Sequence, residues 1–156
     1  MNINACFLLS VYNKYKVVIR MLNNEIKEQI IEKLKQQLNP GFIILFGSFA
    51  KGATHEESDI DLAYFSNKQL SPYERFELAG DLALLCGREV DLVDIKEIDT
   101  VFTMQIFQQG FPIYIGNENE FTRQKMRAYS MYATLSEQRA PIIAAIQERG
   151  SVFDNE

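Results

Sequence analysis

Two aspartates one residue apart, Asp59 and Asp61, follow a Gly47-Ser48 pair by ten residues in the stretch FGSFAKGATHEESDIDL. In an extended chain, residues i and i+2 face the same way, so the two carboxylates share one side of a pleat roughly 5–7 Å apart. Like charges at that spacing repel, and desolvation strengthens the repulsion. No Lys or Arg lies within two residues of either aspartate. A divalent cation with oxygen ligands resolves the conflict: Mg²⁺ takes one or two carboxylates and shares its remaining positions with water and substrate phosphates. Asp91, in EVDLVDI, is a third carboxylate on a second strand-like run and would complete a two-metal site. Gly47-Ser48 supplies the complementary half. A strand that ends in Gly-Ser and turns into a helical segment offers backbone N–H groups and a hydroxyl where phosphate is favoured, and glycine permits close approach. Metal-binding carboxylates facing a phosphate cradle point to phosphoryl or nucleotidyl transfer, in which positioning and charge neutralisation supply most of the catalysis.

The flanking elements must hold these groups in place. From Asn23 to Leu38, apolar residues recur at helical spacing (Ile26, Ile30, Ile31, Leu34, Leu38), and Asn39-Pro40-Gly41 stops the helix. FIILF, residues 42–46, is short, continuous and apolar, as expected of a strand buried on both faces. SDIDLAYF puts Asp59, Asp61 and Ala63 on one side and Ile60, Leu62 and Tyr64 on the other. Ser71-Pro72-Tyr73-Glu74 has the form of a capping box with Pro at the first helical position, and that helix runs to Gly87. Strand 89–95 follows, with Asp91 and Val93 on one face and Asp94 on the opposite one. Asp99 suits the cap of a helix reaching Gln109, and Pro112 marks FPIYI as an edge strand. From Phe121 the pattern is helical again, with an apolar stripe at Met126, Tyr129, Met131, Tyr132 and Leu135 and a break at Pro141. This order predicts an α/β or α+β fold: a small mixed sheet flanked by helices, with further helices at the C-terminus over about 117–150.

The 156 residues suffice for a single domain over 21–156, preceded by an N-terminal extension over 1–20 that lacks amphipathic patterning. The apolar run in that extension, about eight residues from Ala5 to Tyr12, falls well short of a bilayer span, and its positive charges follow it rather than precede it. No membrane role and a cytoplasmic location are expected. A net charge of −5 argues against a surface that grips nucleic acid through phosphates. Cys6 and Cys86 are too few and too far apart for a disulfide framework, and Cys86 in LALLCG reads as a buried thiol.

Gly47-Ser48, ten residues, then Asp59-Ile60-Asp61 resembles the GS-x10-D-x-D signature of the nucleotidyltransferase superfamily that includes DNA polymerase β and the minimal nucleotidyltransferases. GREVDLVDI and QQGFPIYIG extend the likeness, over roughly residues 21–132, to the MntA-type antitoxins that pair with HepT-type toxins. The resemblance implies a polymerase β-like palm fold. It also implies an ATP- and Mg²⁺-dependent protein adenylyltransferase that moves AMP onto a tyrosine hydroxyl of a HEPN-domain ribonuclease toxin, silencing it in a hetero-oligomer. It would make Asp59 and Asp61 ligands of two Mg²⁺ ions, and Asp91 a ligand of one ion and the base, or the group orienting the base, for the attacking hydroxyl. Gly47 and Ser48 would hold the triphosphate.

Each feature also has a plainer reading. Asp59 and Asp61 alone could be surface residues of a half-exposed strand, and it is the Gly-Ser at fixed distance that turns them into a site. Lys51 is either a loop charge or a phosphate contact, and His55 between acidic neighbours reads as a solvated loop residue. Ser58 has no His placed to activate it as a nucleophile. Two other functions use the same residues. An aminoglycoside-type nucleotidyltransferase shares the signature, but only 40 residues follow Gly116, where such enzymes carry a drug-binding domain. A non-catalytic antitoxin that acts by covering its partner would have no need of three intact aspartates.

Overall fold

Five consecutive buried residues, Phe42–Phe46, form strand β1, the spine of a four-stranded sheet. A computed structural model describes residues 22–48 and 58–149. Helix α1 (Asn24–Leu38) precedes β1, and β2 (Ile60–Phe65) pairs antiparallel with it, Phe46 lying opposite Asp61. Helix α2 (Pro72–Cys86) then crosses over to β3 (Val90–Asp94), which runs parallel to β2. Helix α3 (Thr100–Gln109) leads to β4 (Phe111–Ile115) on the other side of β1, and α4 (Glu118–Arg149) ends the described chain. The strand order β3-β2-β1-β4 makes β3 and β4 the two edges.

Local chemistry sets the boundaries. Asn23 caps α1 by accepting the Glu25 N–H, and Ser71 with Glu74 forms a reciprocal capping box on α2, with Pro72 at its first turn. Gly87 closes α2 in the left-handed conformation. Pro112 sits in edge strand β4, next to an irregularity where the β1–β4 register shifts between Ile43 and Ile44.

Pleating divides the core in two. Ile43, Leu45, Ile60, Leu62 and Tyr64 face α1 and α2, while Phe42, Ile44, Phe46, Ala63 and Phe65 face α3 and α4. In the second layer Phe42 is fully buried, stacked on Phe65 at 5.5 Å and meeting Phe121 edge-on at 5.1 Å. Each such ring pair adds about 0.5–1.5 kcal/mol beyond the burial itself. Those rings clamp the end where β1 begins and β2 ends; at the other end, where Phe46 lies opposite Asp61 and the predicted site falls, Phe46 meets Phe102 edge-on at 5.6 Å.

Helix α4 departs from expectation. The sequence predicts a break at Pro141, yet one helix runs through it. Pro141 removes the amide that would bond the Glu137 carbonyl, but residues 136–148 are all exposed, so water satisfies that carbonyl. The packing face also differs: Phe121 and Ala128 meet the core, while Met126 and Met131 are exposed. No described helix is long and apolar enough to cross a membrane. The N-terminal extension, Lys51 and His55 lie outside the described residues.

Candidate active site

The end of β1 and the beginnings of β2 and β3 bring the predicted residues together. Asp61 is paired with Phe46 on one side and with Asp91 on the other. Laterally paired residues of neighbouring strands point to the same face, so the Asp61 and Asp91 carboxylates stand side by side, with Cα atoms about 4.8 Å apart. That face is the one Ala63 and Phe65 share, toward α3 and α4. Asp59 comes just before β2 and is exposed, as is Asp91, whereas Asp61 is half-buried.

Burial pushes the Asp61 carboxyl above the usual carboxylate range, and the charges of Asp91 and Asp59 push it further the same way. The three carboxylates therefore form one electrostatic unit in which ionising the middle member is disfavoured. Among the described residues no three such groups already stand close enough to hold an ion. Mutual repulsion favours such a separation, and every donor in the unit is a carboxylate oxygen, the donor set of a hard cation.

Gly47 and Ser48 open a helical turn directly after β1. Gly47 has φ +67°, a conformation that L side chains rarely adopt. A Cβ built there would lie 1.9 Å from Asp61 Oδ2 and 2.7 Å from its Cγ. The backbone of the predicted phosphate cradle thus packs against the Asp61 carboxylate, in a space that only glycine leaves open. A phosphate bound at this turn would meet the Asp61 carboxylate directly, a repulsion that a cation standing between them would relieve.

Asp94 faces the other way, as its strand position predicts. It is buried, accepts the Lys96 N–H at 2.9 Å and lies 3.7 Å from Lys96 Nζ. Asp99 caps α3 by accepting the Phe102 N–H. Neither belongs to the site. Sequence reasoning missed the direct contact between Gly47 and Asp61; a glycine immediately after a wholly apolar strand was the signal available.

Known proteins share this fold and much of this sequence. The profile described as "Polymerase beta, Nucleotidyltransferase" matches residues 28–119. The protein adenylyltransferase MntA of Shewanella oneidensis is 37% identical over 101 residues, spanning 65% of this chain and 72% of that protein. A relative from Methanocaldococcus jannaschii is 36% identical over 98 residues, which cover 96% of its length. Among solved structures, a toxin–antitoxin complex with AMP-PNP contains a chain that superposes with a TM-score of 0.70 at 33% identity, covering 78% of this chain and 98% of that one. A tri-AMPylated Shewanella oneidensis HEPN toxin in complex with its MNT antitoxin gives 0.67 at 30% identity, covering 80% and 98%.

Proposed function

This chain belongs to the polymerase β nucleotidyltransferase family, on the branch that includes MntA, and from that premise we propose that it transfers AMP from ATP to a tyrosine hydroxyl of a HEPN-type ribonuclease toxin in the cytoplasm, silencing it within a hetero-oligomer. The observation that carries the proposal is Asp61 held between Gly47 and Asp91, which joins a phosphate-accepting turn to a pair of like charges. The nucleotide is ATP, and two Mg²⁺ ions are assigned to Asp59, Asp61 and Asp91. When bound, those ions neutralise charge on the triphosphate and on the developing transition state.

The chain's own residues do the rest. The Gly47 and Ser48 amides and the Ser48 hydroxyl donate to phosphate oxygens and fix the direction of the leaving group. Asp91, exposed at the start of β3, accepts or orients the proton of the incoming tyrosine hydroxyl. The tyrosine oxygen forms its bond to the α-phosphorus as the bond from that phosphorus to the α–β bridging oxygen breaks, and pyrophosphate departs with the electron pair.

The test is the mass of the partner toxin after incubation with this protein, Mg²⁺ and ATP. Additions of one or more AMP units that vanish with Asp59→Asn are expected. A tight complex whose toxin keeps its mass would replace catalysis with inhibition by covering.

A further inference from the structure

The outer edge of β3 bears on how the acceptor reaches Asp91. Ile60 N–H donates to the Glu89 carbonyl, and Ile95 N–H donates to the Tyr64 carbonyl. In a parallel ladder, backbone groups alternate in direction, so residues 89, 91, 93 and 95 turn theirs toward β2. The amides and carbonyls of Val90 and Leu92, on either side of Asp91, consequently point outward from a strand with no described neighbour on that side. A groove of ≈ 440 Å³ runs along this edge, walled by the β3 backbone from Glu89 to Leu92 and by Phe76, Ala79, Gly80 and Ala83 of α2. Its lip is apolar and exposed: Phe76 is 76% accessible, and Tyr73 and Leu84 continue the ridge at 68% and 85%.

We propose that an extended segment of the acceptor protein docks here by adding a strand to the free edge of β3, and that this pairing delivers its tyrosine to Asp91. The proposal rests on the adenylyl-transfer reading above. The side-chain period of two supplies the delivery. A residue paired beside Asp91 turns its side chain to the face that carries Asp91 and Asp61. Its immediate neighbours turn to the opposite face, into the groove against α2. The segment therefore has a tyrosine flanked by apolar residues. It is also basic: Arg75, the one cation lining the groove, is engaged by Glu97 at 2.6 Å, while the lining residues Glu89 and Asp91 are exposed.

Gly80 gives a clean test, because a Cβ added there meets nothing within 4 Å. Gly80→Trp is directed to fill the groove. With the cognate toxin as acceptor, Gly80→Trp and Phe76→Ala are expected to raise KM for the toxin by about tenfold or more, with KM for ATP unchanged. Independently, hydrogen exchange at the Val90 and Leu92 amides should slow when toxin is added to the full-length protein with a non-hydrolysable ATP analogue, while the Asp91 and Val93 amides are slow throughout. Unchanged KM in both variants, or no slowing at Val90 and Leu92, would overturn the proposal. So would amides at those positions that are already slow in the isolated chain, since the protein's own segments or a second copy would then occupy the edge. If the wild-type protein transfers no AMP, the reaction assigned above fails, and amide exchange still decides the docking mode.

Discussion

The Asp61 carboxyl illustrates how position converts an ordinary residue into a reactive one. Burial, and then the charges of Asp91 and Asp59, raise its hold on a proton, and a metal ion can answer the same charge. Gly47→Ala places a methyl group on Asp61 Oδ2 and forces an unfavourable φ worth about 1–2 kcal/mol. We expect it to lower the melting temperature and to cut AMP transfer by at least about a hundredfold, read by thermal denaturation and partner mass. A second residue gives a pH signature. Burial pushes the Asp94 carboxyl up from 3.8, more strongly than the Lys96 amide and ammonium pull it down. The folded state therefore holds that proton more tightly than the unfolded one. Its stabilising contribution is complete below 3.8 and is lost as pH rises through the raised value. Asp94→Asn should thus be at least as stable as the parent at neutral pH, and its advantage should shrink on acidification through that window. A neutral-pH loss of stability that does not change with pH would assign the dominant role to the Lys96 contacts instead.

At the scale of elements, much was legible because local chemistry and burial pattern agreed. Helices α2 and α3 begin at the caps that Ser71 and Asp99 announce, α1 spans the helical pattern that ends at Leu38, and β1 is as buried as FIILF implies. The alternation in IDLAYF foretold which face Asp61 takes, and the spacing of Gly47-Ser48 from the aspartates pointed to the candidate site, where Gly47 packs against Asp61. The lateral pairing of Asp61 with Asp91 was not legible, because register between strands that are 30 residues apart is set by tertiary packing. Nor was the course of α4. Pro141 reads as a stop in sequence, but a proline on a fully solvated helix costs a hydrogen bond that water replaces. Pro141→Ala should therefore make the C-terminal half of α4 more stable locally by up to about 3 kcal/mol, seen as slower amide exchange over residues 142–149. No change there would mean that the helix in solution ends at the proline.

The whole molecule places one reactive corner on a sheet braced from both faces. Binding to that corner should couple to global stability, because a ligand that prefers the folded state raises its stability by about 2.7 kcal/mol at a hundred times its dissociation constant. Mg²⁺ with ATP should raise the melting temperature, chelation should remove the rise, and Asp91→Asn should blunt it; an undiminished rise in that variant would take Asp91 out of the nucleotide-bound site. The central claim is that this corner performs nucleotidyl rather than phosphoryl transfer to protein. It is tested most directly by following radiolabel from ATP to the toxin. The α-phosphate label is expected on toxin tyrosine, with γ-label recovered as pyrophosphate. Label from the γ-position on the toxin, or neither label on a toxin that is nonetheless bound and silenced, would contradict it.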